Sequence, residues 1–236
     1  MSLAYGPITM GAPGLGKNVL RGVMAAAAVL VISGCTGTRY VDFKDAEADS
    51  QLPGRTVAVE IDSQYYEDYP NCILIMPPSA APGLGRIAGL VEAALTTRLT
   101  RKVTRVIGAV ERDLAVRRTA VDLLYPGDRK FLLKTLGCGA FMTTEISGPG
   151  NTYYLVWSEF RIGIDMRLFR ARDGRLLWRA RHIADRSGGG LPLSPIGAIV
   201  ETFSSTRFSA DADVAESVVD DAVRRVVASL PDSRSY

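Results

Sequence analysis

The sequence contains few of the residues from which metal and catalytic sites are built, because its 236 residues include one histidine and three cysteines. His182 and the two cysteines outside the N-terminal region do not complete an ordinary zinc site. The carboxylate pairs Glu67-Asp68 and Asp220-Asp221 fall in polar contexts and are expected to be solvated. We therefore predict no catalytic residues, no metal, no cofactor and no enzymatic activity.

The sequence also lacks an excess of charge of one sign. It has 28 Lys and Arg residues against 25 Asp and Glu residues, for a net charge of +3. A nucleic-acid-binding domain shows a strongly basic footprint, which this balance does not provide. Nucleic acid is therefore excluded as a predicted partner.

No hydrophobic run is long enough to cross a bilayer. Gly22–Ile32, a run of about eleven apolar residues, is well short of the ~20 that a transmembrane helix needs. It follows Lys17 and Arg21, and this order of positive and apolar segments is typical of a secretory signal peptide. The P-loop-like Gly11–Lys17 (GAPGLGK) lies inside this predicted signal and lacks the following Ser or Thr, so we do not expect nucleotide binding.

Small residues and a cysteine follow the apolar run directly. Ile32-Ser33-Gly34-Cys35 resembles a lipobox, the recognition site of lipoprotein signal peptidase. We predict cleavage between Gly34 and Cys35, and a covalent diacylglycerol and an N-acyl chain on Cys35. Two or three acyl chains attach a protein to a membrane lastingly, whereas one does so only marginally. The lipid on Cys35 is thus the predicted membrane anchor.

These signals divide the chain into three parts: a lipoprotein signal peptide (1–34), a lipidated N-terminus with a flexible tether (35–54), and a periplasmic α/β domain (55–231). The stretch 36–53 is polar and without periodicity, and its roughly 18 residues reach at most ~60 Å at ~3.3 Å per residue. Thr36 is not an aspartate, which by analogy with enteric sorting favours the outer membrane, with the inner membrane as the alternative.

Strand and helix patterns alternate in the predicted domain. Thr56–Ile61 is predicted as an edge strand and Cys72–Met76 as a buried strand. The further predicted elements are a helix over Arg86–Arg98, a strand over Thr104–Ile107, a helix over Glu111–Leu124, a helix from Asp128 to Leu136 and a strand over Ala140–Ile146.

The clearest pattern is a β-hairpin formed by Tyr153–Leu168 and Leu176–Ile183, with Asp173-Gly174 at its turn. A final helix is predicted from about Asp213 to Leu230. Alternating elements followed by an antiparallel pair and a helix predict an α/β fold, with a mixed sheet, helices packed on it and a C-terminal hairpin plus helix.

Three sets of residues are candidates for function. Cys72 and Cys138 either pair as a disulfide in an oxidising periplasm or stay buried thiols. Four arginines of the hairpin form either an interaction face for anionic lipid or an acidic partner, or a solvated face: Arg161, Arg167, Arg179 and Arg181. The apolar segment Leu191–Phe203 is either a contact surface or a cover for the sheet.

Four motifs carry a resemblance to a known family. Besides the lipobox ending at Cys35, these are Asn71–Pro78 (NCILIMPP), Leu133–Thr144 (LKTLGCGAFMTT) and Arg172–Trp178 (RDGRLLW) with Gly188–Gly190 downstream. In order and spacing they resemble the periplasmic lipoproteins of the CsgG/LpoB fold, which is similar to the N-terminal domain of TolB, and most nearly the neisserial GNA-type lipoproteins.

The resemblance implies a non-enzymatic role as an adapter, an enzyme activator or a subunit of a cell-envelope complex, with an envelope protein as partner. The alternative is a ligand- or lipid-binding auxiliary component of an envelope transporter. A long apolar cavity would favour this alternative, whereas a flat apolar surface over a filled core would favour the adapter.

Overall fold

The computed structural model describes residues 37–47, 55–148, 159–187 and 212–234. In these residues the strands are β1 (Arg39–Asp42), β2 (Thr56–Ile61), β3 (Cys72–Ile75), β4 (Ser79–Ala80), β5 (Arg105–Ile107), β6 (Ala140–Ser147), β7 (Glu159–Arg170) and β8 (Leu176–Ser187). The helices in the same residues are α1 (Phe43–Glu47), α2 (Gln64–Glu67), α3 (Gly85–Leu99), α4 (Ala109–Thr119), α5 (Pro126–Leu136) and α6 (Ala212–Ala228).

The eight strands form one mixed sheet in the order β1-β2-β8-β7-β6-β3-β5, with β4 beside β6. β7 and β8 pair antiparallel as the predicted hairpin, and Gly174 in its turn has a φ of +71°, which glycine adopts without strain. β3 pairs in parallel with both β5 and β6. The predicted α/β fold with a mixed sheet, a hairpin and a final helix is confirmed.

One face of the sheet packs against α3 and α6. Alternation along β7 sends Ile164, Met166 and Leu168 to this face, and each is 0% exposed. α3 adds a buried stripe at helical spacing, and α6 adds another; their members include Val91, Leu95, Leu99, Val223 and Val226. Burial of each such side chain stabilises the fold by about 1.5–3 kcal/mol, so this layer forms the main core.

Two smaller apolar clusters lie on the opposite face. α4 and α5 cover β3 and its neighbours through a cluster that includes Leu74, Leu132 and Phe141. On the same face, near the β1 edge of the sheet, α1 covers β2 through contact between Phe43 of the helix and Ala58 of the strand. Helices on both faces are what a sheet with a parallel, doubly buried part requires.

The predicted tether differs most from the structure. Within 35–54, predicted as flexible and irregular, the chain forms β1 and α1. β1 pairs in parallel with β2, so β2 is an inner strand rather than the predicted edge strand. The physical reason is that the backbone hydrogen bonds of this short polar segment are supplied by β2, a partner the local sequence pattern does not reveal.

Smaller corrections concern the ends of helices. α4 ends at Thr119 rather than Leu124, because Ala120 is left-handed with a φ of +52°. α5 begins at Pro126, ahead of the predicted Asp128, since proline suits the first turn of a helix. α5 ends at Leu136 as predicted, and Gly137 after it has a φ of +67°, which glycine adopts without strain.

Tyr65 is fully buried in α2. Its hydroxyl donates to the carbonyl oxygen of Pro231 at 2.9 Å, which holds the chain after α6 against α2. Among the residues described above, no helix combines the length and the apolar character needed to cross a membrane.

Candidate functional site

The residues next to the predicted anchor are bound to the domain. Gly34 and Cys35 themselves lie outside the described residues, which begin at Gly37. Nη1 of Arg225 in α6 donates to Oγ1 of Thr38 at 2.9 Å, and the hydroxyl of Tyr40 donates to the backbone oxygen of Arg225 at 3.2 Å. The chain is thus attached to the domain three residues after the predicted lipidation site.

α1 continues this attachment through apolar packing. Phe43 and Ala46 are each 3% exposed and contact Ala58 of β2. Their spacing of three residues places both side chains on one side of the short helix. α1 therefore acts as a clasp over β2 and β8, and we call β1 and α1 together the N-terminal clasp (Arg39–Glu47).

The clasp covers part of the predicted arginine face. The guanidinium of Arg179 lies 3.6 Å from the ring centroid of Phe43, and its Nε donates to Oε2 of Glu60 at 2.7 Å. Nη2 of Arg181 donates to the backbone oxygen of Ala46 at 3.2 Å. These two arginines therefore hold the clasp, a role that the sequence did not reveal.

The other two arginines lie on the first strand of the hairpin. Arg167 donates from Nε to Oδ1 of Asp165 at 2.9 Å, and its side chain is 44% exposed. Arg161 lies in β7 at the position opposite Asp185 in the register of the hairpin. Contact of these arginines with a lipid or an acidic partner stays a prediction. Among Arg167, Arg179 and Arg181, whose side chains the structure describes, Arg167 is the exposed one.

The structure joins Cys72 and Cys138 as a disulfide with a Cα–Cα distance of 4.8 Å. Cys72 opens β3, and Cys138 stands two residues before β6, its neighbour in the sheet. The bond links positions 66 residues apart in the chain. Both cysteines are 5% exposed, so the link lies inside the smaller core under α5.

A network of charges at the hairpin turn was not anticipated. Arg170, only 6% exposed, donates from Nε and Nη2 to the carboxylate of Asp173 at 3.0 and 2.6 Å, and from Nη1 to Oε1 of Gln64 at 3.2 Å. The Arg170 guanidinium holds the pKa of the Asp173 carboxyl well below its usual range. Likewise, hydrogen bonds from Arg175 and then from the backbone of Gln64 lower the pKa of Asp62.

These bonds join the hairpin turn to α2 and border an open cleft of about 210 Å³ whose lining includes Tyr69, Asn71 and Gly139. Because Arg170 donates both to Asp173 in the turn and to Gln64 in α2, the network fixes the hairpin turn against α2.

Arg112 is the second arginine whose burial the sequence does not show. It is 4% exposed, and its Nη1 donates to the backbone oxygen of Ile75 at 3.0 Å and also to Glu92 of α3. Its Nε donates to Asp113 at 2.9 Å. Nothing in the sequence of α4 distinguishes Arg112 from a solvated arginine. Arg112 is buried because folding brings Glu92, on α3, within reach of its guanidinium. This ion pair ties α4 to α3 across the end of β3.

Exposed apolar side chains are concentrated on the layer formed by α4 and α5. Of the seven large exposed hydrophobic residues in the described part of the chain, five lie between residues 110 and 131. They are Val110 (85% exposed), Leu114 (40%), Leu124 (85%), Tyr125 (65%) and Phe131 (56%). We call these five residues the α4–α5 surface.

One member of the α4–α5 surface, Leu124, lines an open cleft of about 430 Å³. Its lining is mainly apolar and includes Met76, Pro77, Val116, Val121 and Leu123. Such concentrations of exposed apolar area typically mark sites of contact with other molecules. The sequence missed this surface because Val110 and Leu114, at helical spacing, are also compatible with a core position.

His182, the one histidine of the sequence, is 1% exposed, and its Nδ1 is 2.8 Å from the backbone oxygen of Thr56. It thus joins β8 to the start of β2. In the described residues, no three His, Cys, Asp or Glu side chains converge as metal ligands do. The predicted contact segment Leu191–Phe203 lies outside the described residues.

No protein-family model and no curated protein matches the sequence. Solved structures do resemble the fold. The lipoprotein GNA1162 from Neisseria meningitidis is 16% identical, with a TM-score of 0.43 over 64% of this chain and 99% of that one. The PelC dodecamer from Paraburkholderia phytofirmans is 10% identical, with a TM-score of 0.40 over 72% and 96%.

The C-terminal domain of LpoB from Salmonella enterica is 13% identical, with a TM-score of 0.38 over 61% of this chain and 91% of that one. The similar structures thus include bacterial lipoproteins, as the motifs indicated, whereas the likeness to CsgG in particular stays a prediction. With identities of 16% or less and TM-scores below 0.5, these likenesses carry no argument about what this chain binds or does.

Proposed function

We propose that this chain is a lipid-anchored, non-enzymatic subunit or adapter of a cell-envelope complex, held at the periplasmic face of the outer membrane. The lipobox ending at Cys35 supports the anchor, and the two or three acyl chains of a mature lipoprotein suffice for lasting attachment. The observation that carries the adapter role is the α4–α5 surface, where exposed apolar side chains are concentrated.

Aromatic side chains are enriched in interfaces between proteins. Tyr125 and Phe131 are more than half exposed, and Leu124 precedes Tyr125 directly. Burying them against a partner removes apolar area from water at about 25 cal/mol per Å². The side chains thus have the chemistry of an interface with another envelope protein.

The anchor is tested by radiolabelled palmitate in cells that express the full chain. We expect label on the wild-type protein, loss of label in the Cys35→Ala variant, and unchanged label in a Cys72→Ala/Cys138→Ala variant as the control. Label retained by Cys35→Ala, or absent from the wild type, would contradict the lipoprotein assignment.

The adapter role is tested by placing a photo-crosslinking phenylalanine analogue at Tyr125 and, as a matched control, at Tyr66. Both tyrosines are at least half exposed, at 65% and 50%, but only Tyr125 belongs to the α4–α5 surface. In the native host we expect one defined adduct from position 125 and none from position 66. When Leu124→Asp is combined with the probe at position 125, we expect the affinity for the partner to fall at least ~10-fold and the adduct to disappear.

A monomer without adducts at position 125, or equal adducts at both positions, would refute the adapter role. So would an adduct unaffected by Leu124→Asp, because the exposed leucine is then no part of the contact.

The alternative, a ligand- or lipid-binding component of an envelope transporter, is supported by the cleft beside the α4–α5 surface. Its volume of about 430 Å³ falls within the usual range of small-molecule sites. The cleft is open, however, and the main core beneath the sheet is filled, with Leu95 and Leu99 fully buried. Val116→Trp, which fills the cleft, is expected to leave the Tyr125 adduct intact. The readout that separates the two functions is a co-purifying lipid: its loss in this variant, with the adduct unchanged, would favour the alternative.

A further inference from the structure

Positively charged side chains flank the apolar members of the α4–α5 surface. In α4, Arg117 and Arg118 follow Leu114 by three and four residues. In α5, Lys134 follows Phe131 by three residues. Residues at these spacings are neighbours on the surface of a helix. The exposed apolar side chains and the cations therefore lie side by side on each helix.

The two helices present these side chains on one continuous surface. Nη1 of Arg105 donates to the backbone oxygen of Leu136, the last residue of α5, at 2.8 Å, and its Nη2 donates to Oε1 of Glu111 in the first turn of α4 at 2.6 Å. The start of α4 thus lies beside the end of α5, and the helices run antiparallel. Because both pack on β3 through the same apolar cluster, their outward sides face the same way.

The cations of this surface have no partner within the chain. Lys130 directly precedes Phe131, and its side chain, like those of Arg117, Arg118 and Lys134, is exposed and has no hydrogen bond or ion pair in the part of the chain that the structure describes. The arginines of the hairpin turn, by contrast, lie against carboxylates: Arg170 with Asp173, Arg172 with Asp68 and Arg175 with Asp62. The four cations are therefore available to another molecule.

The carboxylates of the same stretch are all bonded within the chain. Two of them form ion pairs: Glu111 with Arg105 at 2.6 Å, and Asp113 with Arg112 at 2.9 Å. The other two accept backbone N–H groups around the turn between the helices: Asp122 from Leu124, and Asp128 from Asp122, each at 2.9 Å. The α4–α5 surface therefore offers a partner unpaired positive charge around exposed apolar side chains.

We infer that the α4–α5 surface docks an acidic protein surface, one that presents carboxylates around an apolar contact. This inference rests on the proposed adapter function and names the chemistry of its partner. Complementary charges steer association and exclude partners of the wrong sign. An anionic bilayer fits less well, because the exposed carboxylate of Asp122 lines the cleft together with Leu124, where it would face headgroups of its own charge.

The test measures the yield of the photo-crosslinked adduct from the probe at position 125, in the full chain and in the native host. Arg117→Glu/Arg118→Glu is expected to lower this yield at least ~10-fold, because carboxylates then face carboxylates. Arg86→Glu/Arg101→Glu is the matched control. It makes the same change of charge at exposed positions at the start of α3 and just after its end, on the opposite face of the sheet, and should leave the yield unchanged.

Salt provides a second measurement that does not depend on the folding of a charge variant. In membranes isolated from the same cells, salt is raised from ~0.1 M to ~1 M, which shortens the Debye length from ~10 Å to ~3 Å. We expect the adduct yield of the chain that carries only the probe to fall several-fold, because its exposed charges are then screened from those of the partner.

An adduct whose yield is unaffected by Arg117→Glu/Arg118→Glu or by salt, or is lowered equally by the α3 control, would overturn the inference and leave the adapter function standing. An adduct that mass spectrometry identifies as a phospholipid would also overturn it, in favour of an anionic bilayer. Absence of any adduct from the probe at position 125, with no other change in the chain, would instead overturn the proposed function.

Discussion

Replacing Phe43 with Ala tests whether the N-terminal clasp is part of the folded domain. Phe43 is 3% exposed, contacts Ala58 and stacks with Arg179 at 3.6 Å. Truncating a buried phenylalanine costs about 3–5 kcal/mol in free energy of unfolding. The cluster around Phe43 is small, so we expect the lower end, about 3 kcal/mol, of which about 1 kcal/mol is the contact with the Arg179 guanidinium.

The assay is hydrogen exchange together with urea unfolding of the mature chain carrying Cys35→Ser, so that no lipid is attached. If the clasp docks as a local unit, backbone amides of β1 should exchange up to ~100-fold faster in Phe43→Ala, while β6 and β7 keep their protection. Phe131→Ala makes the same chemical change at a side chain that is 56% exposed, and we expect a change within about 0.5 kcal/mol. Unchanged exchange of β1 in Phe43→Ala would refute the docking of this segment.

Three further variants test other parts of the account. Thiol titration of the unfolded native protein should find Cys72 and Cys138 unreactive until reduction, and Cys72→Ala/Cys138→Ala should lower the free energy of unfolding in urea by about 4 kcal/mol for a loop of this length; two free thiols before reduction would contradict the disulfide. Arg112→Ala leaves Glu92, whose side chain is 13% exposed, without its partner and should lower the free energy of unfolding by about 3 kcal/mol. Arg112→Met/Glu92→Leu should recover most of this loss, and equal losses would argue against a stabilising role of the ion pair. The pKa of Asp173 is lowered in the folded protein, so its contribution to stability is present above the unfolded pKa of 3.8 and is lost as pH falls through the folded pKa. Urea midpoints should therefore depend less steeply on pH between about 4 and 2 in Asp173→Asn than in the wild type. Parallel pH profiles of the two proteins would refute this role of Asp173.

The sequence predicted those elements whose own periodicity defines them. The hairpin follows from strict alternation along Phe160–Leu168 and from Asp173-Gly174, whose turn the structure confirms. The final helix, predicted from about Asp213 to Leu230, follows from an apolar stripe that runs from Ala215 to Val226, and the structure places it at Ala212–Ala228. At about 3.6 residues per turn, the stripe recurs over about three turns. In both cases local spacing and burial agree, so no knowledge of distant partners was needed.

The N-terminal clasp could not be predicted in this way. Arg39–Asp42 is a strand of four residues, and three of them are exposed. Its stability comes from pairing with β2 and from burial of Phe43. The sequence between β1 and β2 has no pattern that predicts this pairing. A short polar segment of this kind is indistinguishable from a tether by composition alone.

Buried arginines were missed for a related reason. Arg112 and Arg170 have the composition of surface residues, and what buries them is an acceptor brought close by folding: Glu92 for the first, Asp173 and Gln64 for the second. Buried charges are tolerated when they are paired and hydrogen-bonded. The pairing is a property of the tertiary structure, so the sequence supplied only the residues.

The central claim is that cleavage before Cys35 and acylation of its sulfur attach this domain to a membrane. Intact mass spectrometry of the protein extracted from membranes of the native host tests it most directly. We predict a chain that begins at Cys35 and carries the mass of a diacylglyceryl group and an N-linked acyl chain. A chain that retains residues 1–34, or one that begins at Cys35 with a free thiol, would contradict the account.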